Sequence, residues 1–232
     1  MNKEIKILVI IAFVVIVGAI LGLNYYRSSQ QNVRVTGNTN SGGNRPAISP
    51  ETLVRPDSPT LGPENAAVTI VEFLDPECES CGAFGPKVKK ILSDHEGRVR
   101  LVIRYMPLHP NSLKAATLME AAGEQGKYWQ MQDLLFQKQP EWGERHGAPP
   151  SEQPQNIDEL FEKYAMQVGL DLDKLNAAIR ENRYRDKFER DRRDGQTLGV
   201  RQTPTFFVNG RRLQRFSEAD LRMLVEDELK KQ

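Results

Sequence analysis

The chain has 232 residues, 39% hydrophobic and 27% charged, with 32 basic against 31 acidic side chains and a formal net charge of +1. A balance this close to neutral gives no electrostatic case for nucleic acid, and the composition is that of a globular protein carrying one hydrophobic segment. Two cysteines and three dispersed histidines, His95, His109 and His146, supply at most half of a zinc site, so no metal or other cofactor is expected.

Residues 1–6 form a short tail. Ile7 to Leu23 follow as an uncharged apolar run, with Tyr25 and Tyr26 at its end. At about 1.5 Å per residue this run nearly crosses a bilayer core of roughly 30 Å, and the tyrosines suit the interface. It exceeds the apolar region of a cleaved signal peptide and lacks a small-x-small cleavage site, so a transmembrane anchor is expected over residues 7–26. Lys3 and Lys6 before it are matched by Arg27 and Arg34 after it, and the positive-inside rule does not orient it. A single cysteine pair suits an oxidising compartment, which places the bulk of the chain outside the cytoplasm.

Residues 27–62 are polar and rich in Gly, Ser, Asn and Pro, and read as a flexible linker with a span on the order of 35 Å. Residues 63–232 then suit one α/β domain. Ala67 to Leu74 reads as a strand apolar on both faces, as in the interior of a covered sheet. Asp75-Pro76-Glu77-Cys78-Glu79-Ser80-Cys81 follows, and Phe84, Val88, Ile91 and Leu92 then recur at helical spacing. Strand, turn and helix put Cys78 at a helix N-terminus, where unpaired amides and the dipole favour the thiolate. Cys81 lies one turn further in, so Cys78 is expected to be the exposed nucleophile and Cys81 the buried resolving thiol.

Arg98 to Met106 reads as a second strand ended by Pro107, which makes strand, helix and strand a parallel crossover unit. Two helical runs lie between Ser112 and Gln139 with a break at Gly126, and Pro140 to Pro154 reads as a polar loop. Met119, Trp129, Met131 and Phe136 in these runs read as core rather than as a substrate groove. A capping box at Asn156 to Glu159 opens another helix stopped by Gly169, and Asp171 to Gly199 holds one or two more. The mixed charges of Arg180 to Asp194 read as a solvated helix face. Residues 111–199 thus form a helical insertion. Thr205 to Val208 reads as a strand, Asn209-Gly210 as a type I′ turn, Arg211 to Gln214 as its partner, and Ser217 caps a last helix.

Four features together resemble the DsbA-like branch of the thioredoxin superfamily over about Pro63 to Lys231. They are Val71-Glu72-Phe73 leading into Cys78-Glu79-Ser80-Cys81, Pro86 beyond the motif, the helical insertion, and Gly199 to Gly210 with its Gln202-Thr203-Pro204-Thr205 core. The resemblance implies a thioredoxin-like fold and thiol-disulfide exchange through a Cys78–Cys81 redox disulfide. It also implies a cis bond at Pro204 with Thr203 offering backbone hydrogen bonds to an extended substrate, cysteine-containing protein substrates, and a separate redox partner that recycles the pair. Glu72, six residues before Cys78, matches the family's glutamate; on a strand with no polar face its carboxyl is expected to be desolvated and suited to proton transfer. A strand-end glutamate paired with a lysine is the plainer reading.

Glu79-Ser80 stands where strong oxidants of the family carry Pro-His, so these two residues are expected to tune the redox poise. Asp75, Glu77 and Glu79 lie within four residues of Cys78 and oppose its thiolate, from which a weaker oxidant is expected. Disulfide formation, disulfide reduction or isomerisation, and a tethered binding or chaperone module stapled by the cysteines all remain open at this point. His109, after a strand end, reads as a loop residue.

Overall fold

A computed structural model describes residues 50–232 apart from 145, 146, 148 and 150–155. The expected anchor and most of the expected linker lie outside the described residues, as does much of the loop expected before residue 155. No helix among the described residues is long and apolar enough to cross a membrane.

In chain order the elements are α1 (Pro50–Leu53), β1 (Thr60–Leu61), β2 (Val68–Leu74), α2 (Glu79–Asp94), β3 (Val99–Tyr105), α3 (Ser112–Gly123) and α4 (Tyr128–Trp142), followed by α5 (Ile157–Val168), α6 (Leu172–Arg180), α7 (Arg185–Thr197), β4 (Thr205–Val208), β5 (Arg211–Arg212) and α8 (Glu218–Leu229). The strands make one sheet in the order β1-β3-β2-β4-β5. Strands β2 and β3 run parallel in register from Val68↔Val99 to Leu74↔Tyr105, and β4 joins β2 antiparallel. A parallel pair needs a long crossover, and α2 supplies it. Asn209 and Gly210 have φ of 45° and 83°, the two positive values that a type I′ hairpin turn into β5 requires.

Alternation along β2 and β3 sorts their side chains onto two buried faces. Val68, Ile70 and Leu74 join Leu101, Ile103, Tyr105, Phe206 and Val208 in the larger core, shared with α2, α8 and the helical insertion. Val71, Phe73, Val102 and Phe207 meet Leu53, Met106 and Val200 on the other face. Both faces of β2 are therefore covered, which is why it reads as a continuous apolar run. Helix α7 lies close on the second face, where a Cβ at Gly195 would come 3.0 Å from the Phe73 ring.

The structure corrects four expectations. Residues 50–61 belong to the fold rather than to a linker: Leu53 is buried, and β1 pairs antiparallel with β3. A two-residue edge strand in a polar segment has too little periodicity to be read. Helix α4 runs through Pro140 to Trp142, because burying the Trp142 indole, whose Nε1 donates to the Leu135 carbonyl at 3.0 Å, favours one further turn despite the missing proline amide. Asn156 takes left-handed φ of 54° and makes no side-chain cap, so the capping box is not formed. The charged run on α7 is not solvated throughout: Lys187 and Asp191 are buried.

Asp191 is buried against a partner from another element. Arg104, fully buried on β3, donates to Asp191 at 2.9 Å, to Asp194, and to the carbonyls of Thr52 and Leu53. Arg55 adds two bonds of 3.0 Å to Asp194, so one ion-pair network ties α1, β3 and α7 together. Burial raises the Asp191 pKa, and Arg104 with the Tyr105 amide works against that rise. Arg104→Met should therefore strand a buried carboxylate and destabilise the fold by about 3–5 kcal/mol, measured as a lower urea midpoint with an unchanged m-value.

Candidate active site

The two parallel strands end side by side, and the turns that leave them meet. Leu74 runs into the buried tripeptide Asp75-Pro76-Glu77, and Tyr105 runs into Met106-Pro107-Leu108-His109. The Asp75 carboxylate accepts from the amides of Glu77 (2.9 Å) and Leu108 (2.7 Å) and from Ser112 Oγ, and it meets His109 Nδ1 at 2.7 Å. Glu77 accepts from the Asn111 amide (2.6 Å), Asn111 Nδ2 (2.8 Å) and the Glu144 amide (2.8 Å). These carboxylates fasten two loops and the end of α4 to each other.

Cys78 is the N-cap of α2, its amide donating to the Asp75 carbonyl and its own carbonyl accepting from Cys81 and Gly82. Gln139 on α4 also donates to the Cys78 carbonyl at 3.1 Å. Both cysteines are free thiols. Cys81 is wholly buried, as expected, but Cys78 retains only 9% of its surface and is not the open side chain that its position suggested. The Gln202-Thr203-Pro204 loop covers it, with a cis Thr203–Pro204 bond and the Cys78 thiol donating to the Thr203 carbonyl at 3.3 Å.

The two thiols titrate in opposite directions. A hydrogen bond from the Cys81 thiol is the largest influence on Cys78. Burial opposes it, while the Thr203 side chain and the amides of Cys81 and Ser80 reinforce it, and the Cys78 pKa falls to about 5. The Thr203 carbonyl favours the thiol, but the several donors aimed at sulfur decide for the thiolate. Burial pushes the Cys81 thiol well above its ordinary value, and the charges of Glu72 and Cys78 push it further.

Glu72 shares the sheet face of Ile70 and Leu74 and is 2% exposed. Its Oε1 has no hydrogen-bond partner, so the plainer reading of a glutamate paired with a lysine fails. Burial first, then the Cys78 charge, raises its pKa to about 8. Glu79 and Ser80 are exposed; of the three acidic neighbours expected to oppose the thiolate, Glu79 faces solvent, and Asp75 and Glu77 are occupied by donors. Ser80 acts on Cys78 through its amide. Met119 and Met131 are core, with Trp129 and Phe136 packed at its margin. Among the described residues no cluster of three or more His, Cys, Asp or Glu side chains is arranged to hold a metal ion.

Two functional features escaped the sequence: His109, drawn into the site by Asp75, and Gln139, placed against Cys78 by the unforeseen last turn of α4. A family model described as thioredoxin matches residues 55–227. The chain belongs to the thioredoxin superfamily. Its fold matches BdbD of Bacillus subtilis at 25% identity and a TM-score of 0.63, covering 75% of this chain and 94% of that one. A thioredoxin-like oxidoreductase of Silicibacter pomeroyi matches at 27% identity and a TM-score of 0.64, covering 78% and 98%. A protein of Salinispora tropica named as the Na(+)/H(+) antiporter NhaA 3 is 38% identical over 154 residues, which are 65% of this chain and 21% of that protein. The chain thus spans about a fifth of that curated relative.

The unpartnered carboxyl gives a pH-dependent prediction. A folded-state pKa of about 8 against an ordinary 4.5 means that the native state is favoured below 4.5, where Glu72 is neutral in both states, and loses that advantage as pH rises through 8. Glu72→Leu should therefore stabilise the protein, and more so above pH 8 than near pH 4.5, while slowing thiol-disulfide exchange. Thermal unfolding across that range, paired with exchange rates, checks both.

Proposed function

We propose that this chain is a membrane-tethered thiol-disulfide oxidoreductase that forms disulfides in cysteine-containing proteins outside the cytoplasm. The observation that carries the direction is the placement of Cys78 at the N-cap of α2, where the Cys81 thiol, Thr203 and the amides of Ser80 and Cys81 favour its thiolate and lower its pKa to about 5. A stabilised thiolate favours the dithiol form of the enzyme, so the Cys78–Cys81 disulfide gives up its bond readily and acts as an oxidant. The tether and the compartment rest on the apolar run of residues 7–26 and on the single cysteine pair. Ion transport is not part of the proposal, because the similarity to the antiporter is confined to about a fifth of its length.

In the oxidised enzyme a substrate thiolate attacks Cys78 Sγ. The Cys78–Cys81 bond breaks, a mixed disulfide forms, and Cys81 leaves as a thiolate. Because the Cys81 pKa is high and Glu72 is largely protonated at neutral pH, Glu72 is the residue suited to deliver the proton. A second substrate thiolate then attacks the substrate sulfur of the mixed disulfide, and Cys78 departs as the stable thiolate. The substrate has lost two electrons and gained a disulfide, and the enzyme holds a dithiol for a separate redox partner to reoxidise. Thr203 and Pro204, lying against Cys78, are the residues placed to hold an extended substrate segment across the sulfur, and half-exposed Leu108 offers apolar surface beside Asp75.

Equilibrating the chain with glutathione buffers should give a reduction potential more positive than about −200 mV, and the oxidised chain should introduce disulfides into a reduced unfolded substrate. Cys78→Ser should abolish this, and Cys81→Ser should accumulate the mixed disulfide. A potential near thioredoxin's, about −270 mV, would instead assign the site to reduction.

A further inference from the structure

Two peptide carbonyls at the redox turn are held by one side chain from the helical insertion. Gln139, buried near the end of α4, donates from Nε2 to the Pro76 carbonyl at 2.8 Å and to the Cys78 carbonyl at 3.1 Å. A primary amide carries two N–H donors on nitrogen and only lone pairs on oxygen, so two converging carbonyls admit its nitrogen end and use both donors. The Cys78 carbonyl also accepts from the amides of Cys81 (3.0 Å) and Gly82 (3.1 Å). Gln139 thus binds together the first turn of α2 and the turn that enters it.

Room for that amide comes from Gly82. A Cβ at this position would lie 2.5 Å from Gln139 Oε1, 3.1 Å from Cδ and 3.3 Å from Nε2, too close for all three atoms to stay where they are. Gly82 lies within α2 and its φ is not positive, so backbone conformation does not call for glycine here. A glycine inside a helix costs about 1 kcal/mol relative to alanine, and the close approach of Gln139 is what this one makes possible. The other end of Gln139 is anchored by the turn of α4 that continues through Pro140. The Gly143 amide closes on the Gln139 carbonyl at 2.7 Å, and the carbonyl of buried Trp142 accepts from Asn111 Nδ2 at 3.3 Å.

We propose that Gln139 is a positioning residue for the redox thiol: its amide, admitted by Gly82, fixes the peptide planes on either side of Cys78 and so keeps Sγ over the free amides at the start of α2. The proposal rests on the reading of Cys78 as the redox thiol. At an N-cap the side chain faces the amides two and three residues on, here those of Ser80 and Cys81. Cys78 has the non-helical φ of −69° and ψ of 119° that this arrangement needs. Turning the Cys78–Glu79 peptide plane changes that ψ, moves the two amides relative to Sγ, and pulls the Cys78 carbonyl away from Nε2. Turning the Pro76–Glu77 plane breaks the second bond in the same way. Gln139 therefore acts on the sulfur through backbone, and the amides it holds in place are among the donors that favour the thiolate.

The test uses the full chain in detergent and follows the thiolate ultraviolet absorbance of the reduced protein against pH. Gln139→Met, similar in size but without a donor, should raise the Cys78 pKa by about one unit, roughly a tenfold loss of thiolate at a fixed pH below it. Gly82→Ala, which displaces the same amide, should give a shift of similar size. The two sites should not add: Gln139→Ala and the double variant Gln139→Ala/Gly82→Ala should share one Cys78 pKa to within about 0.3 unit, because with the amide gone the new methyl displaces nothing. Stability should report the same coupling, with Gly82→Ala lowering the thermal midpoint when Gln139 is present and raising it in the Gln139→Ala background, where the gain in helix propensity is what remains. Arg104→Met, which weakens the fold away from the thiols, should leave the Cys78 pKa within about 0.3 unit of the wild type. An unchanged pKa in Gln139→Met, additive shifts at the two sites, or an equal shift in Arg104→Met overturns the proposal. Failure of the disulfide-forming assay in the wild type would count against the proposed function alone, since the titrations need only the reduced cysteine pair.

Discussion

Asp75 has no accessible surface, and its carboxylate is met by two backbone amides, a hydroxyl and an imidazole. A buried carboxylate of this kind is tolerated only when its lone pairs are filled, and filling them requires the turns after β2 and β3 to close on one another. The parallel register of those strands brings the two turns to the same end of the sheet. The cysteines inherit their geometry from this closure: the Asp75 carbonyl holds the Cys78 amide, and the Asp75 backbone amide contributes a bond to Cys81. A residue that looks in sequence like an obstacle to the thiolate is the scaffold on which the thiolate is built.

From that scaffold follows the division of labour between the thiols. At the N-cap of α2, Cys78 is placed to collect donors from the next turn of backbone, from Cys81 and from Thr203, whereas Cys81, one turn inside, meets the apolar interior and the carboxyl of Glu72. Two sulfurs three residues apart thus differ in pKa by an amount that sequence spacing alone does not produce. Such a separation suits a disulfide that must open in one direction, with Cys78 retaining the thiolate and Cys81 requiring a proton. The unpartnered Glu72 carboxyl, costly to the fold, is the group whose burial makes that proton available near neutral pH.

Much of this was legible in the sequence because it is local. The apolar run of β2, the helical spacing after Cys81, the Asn-Gly turn and the Ser217 cap each declare themselves within a dozen residues, and so did the burial of Glu72 on a strand with no polar face. What was not legible depends on partners far along the chain. Arg104 and Asp191 meet across 87 positions, Asp75 and His109 across 34, and Gln139 and Cys78 across 61. The surroundings of the acidic residues before Cys78 are hidden for the same reason: a carboxylate's influence depends on what fills its lone pairs, and those donors come from another loop. Pro140 misled in the opposite sense, since its local preference to end α4 is overridden by the burial of Trp142.

Site-resolved alkylation of the reduced chain tests the central claim most directly. Brief treatment with iodoacetamide over a range of pH, followed by peptide mapping, reports how much reactive thiolate each cysteine presents. The structure predicts that Cys78 labels alone, with an alkylation rate that is half-maximal near pH 5, and that Cys81 remains unmodified through neutral pH. Comparable labelling of both cysteines, rising together toward pH 9 as ordinary thiols do, would contradict the account.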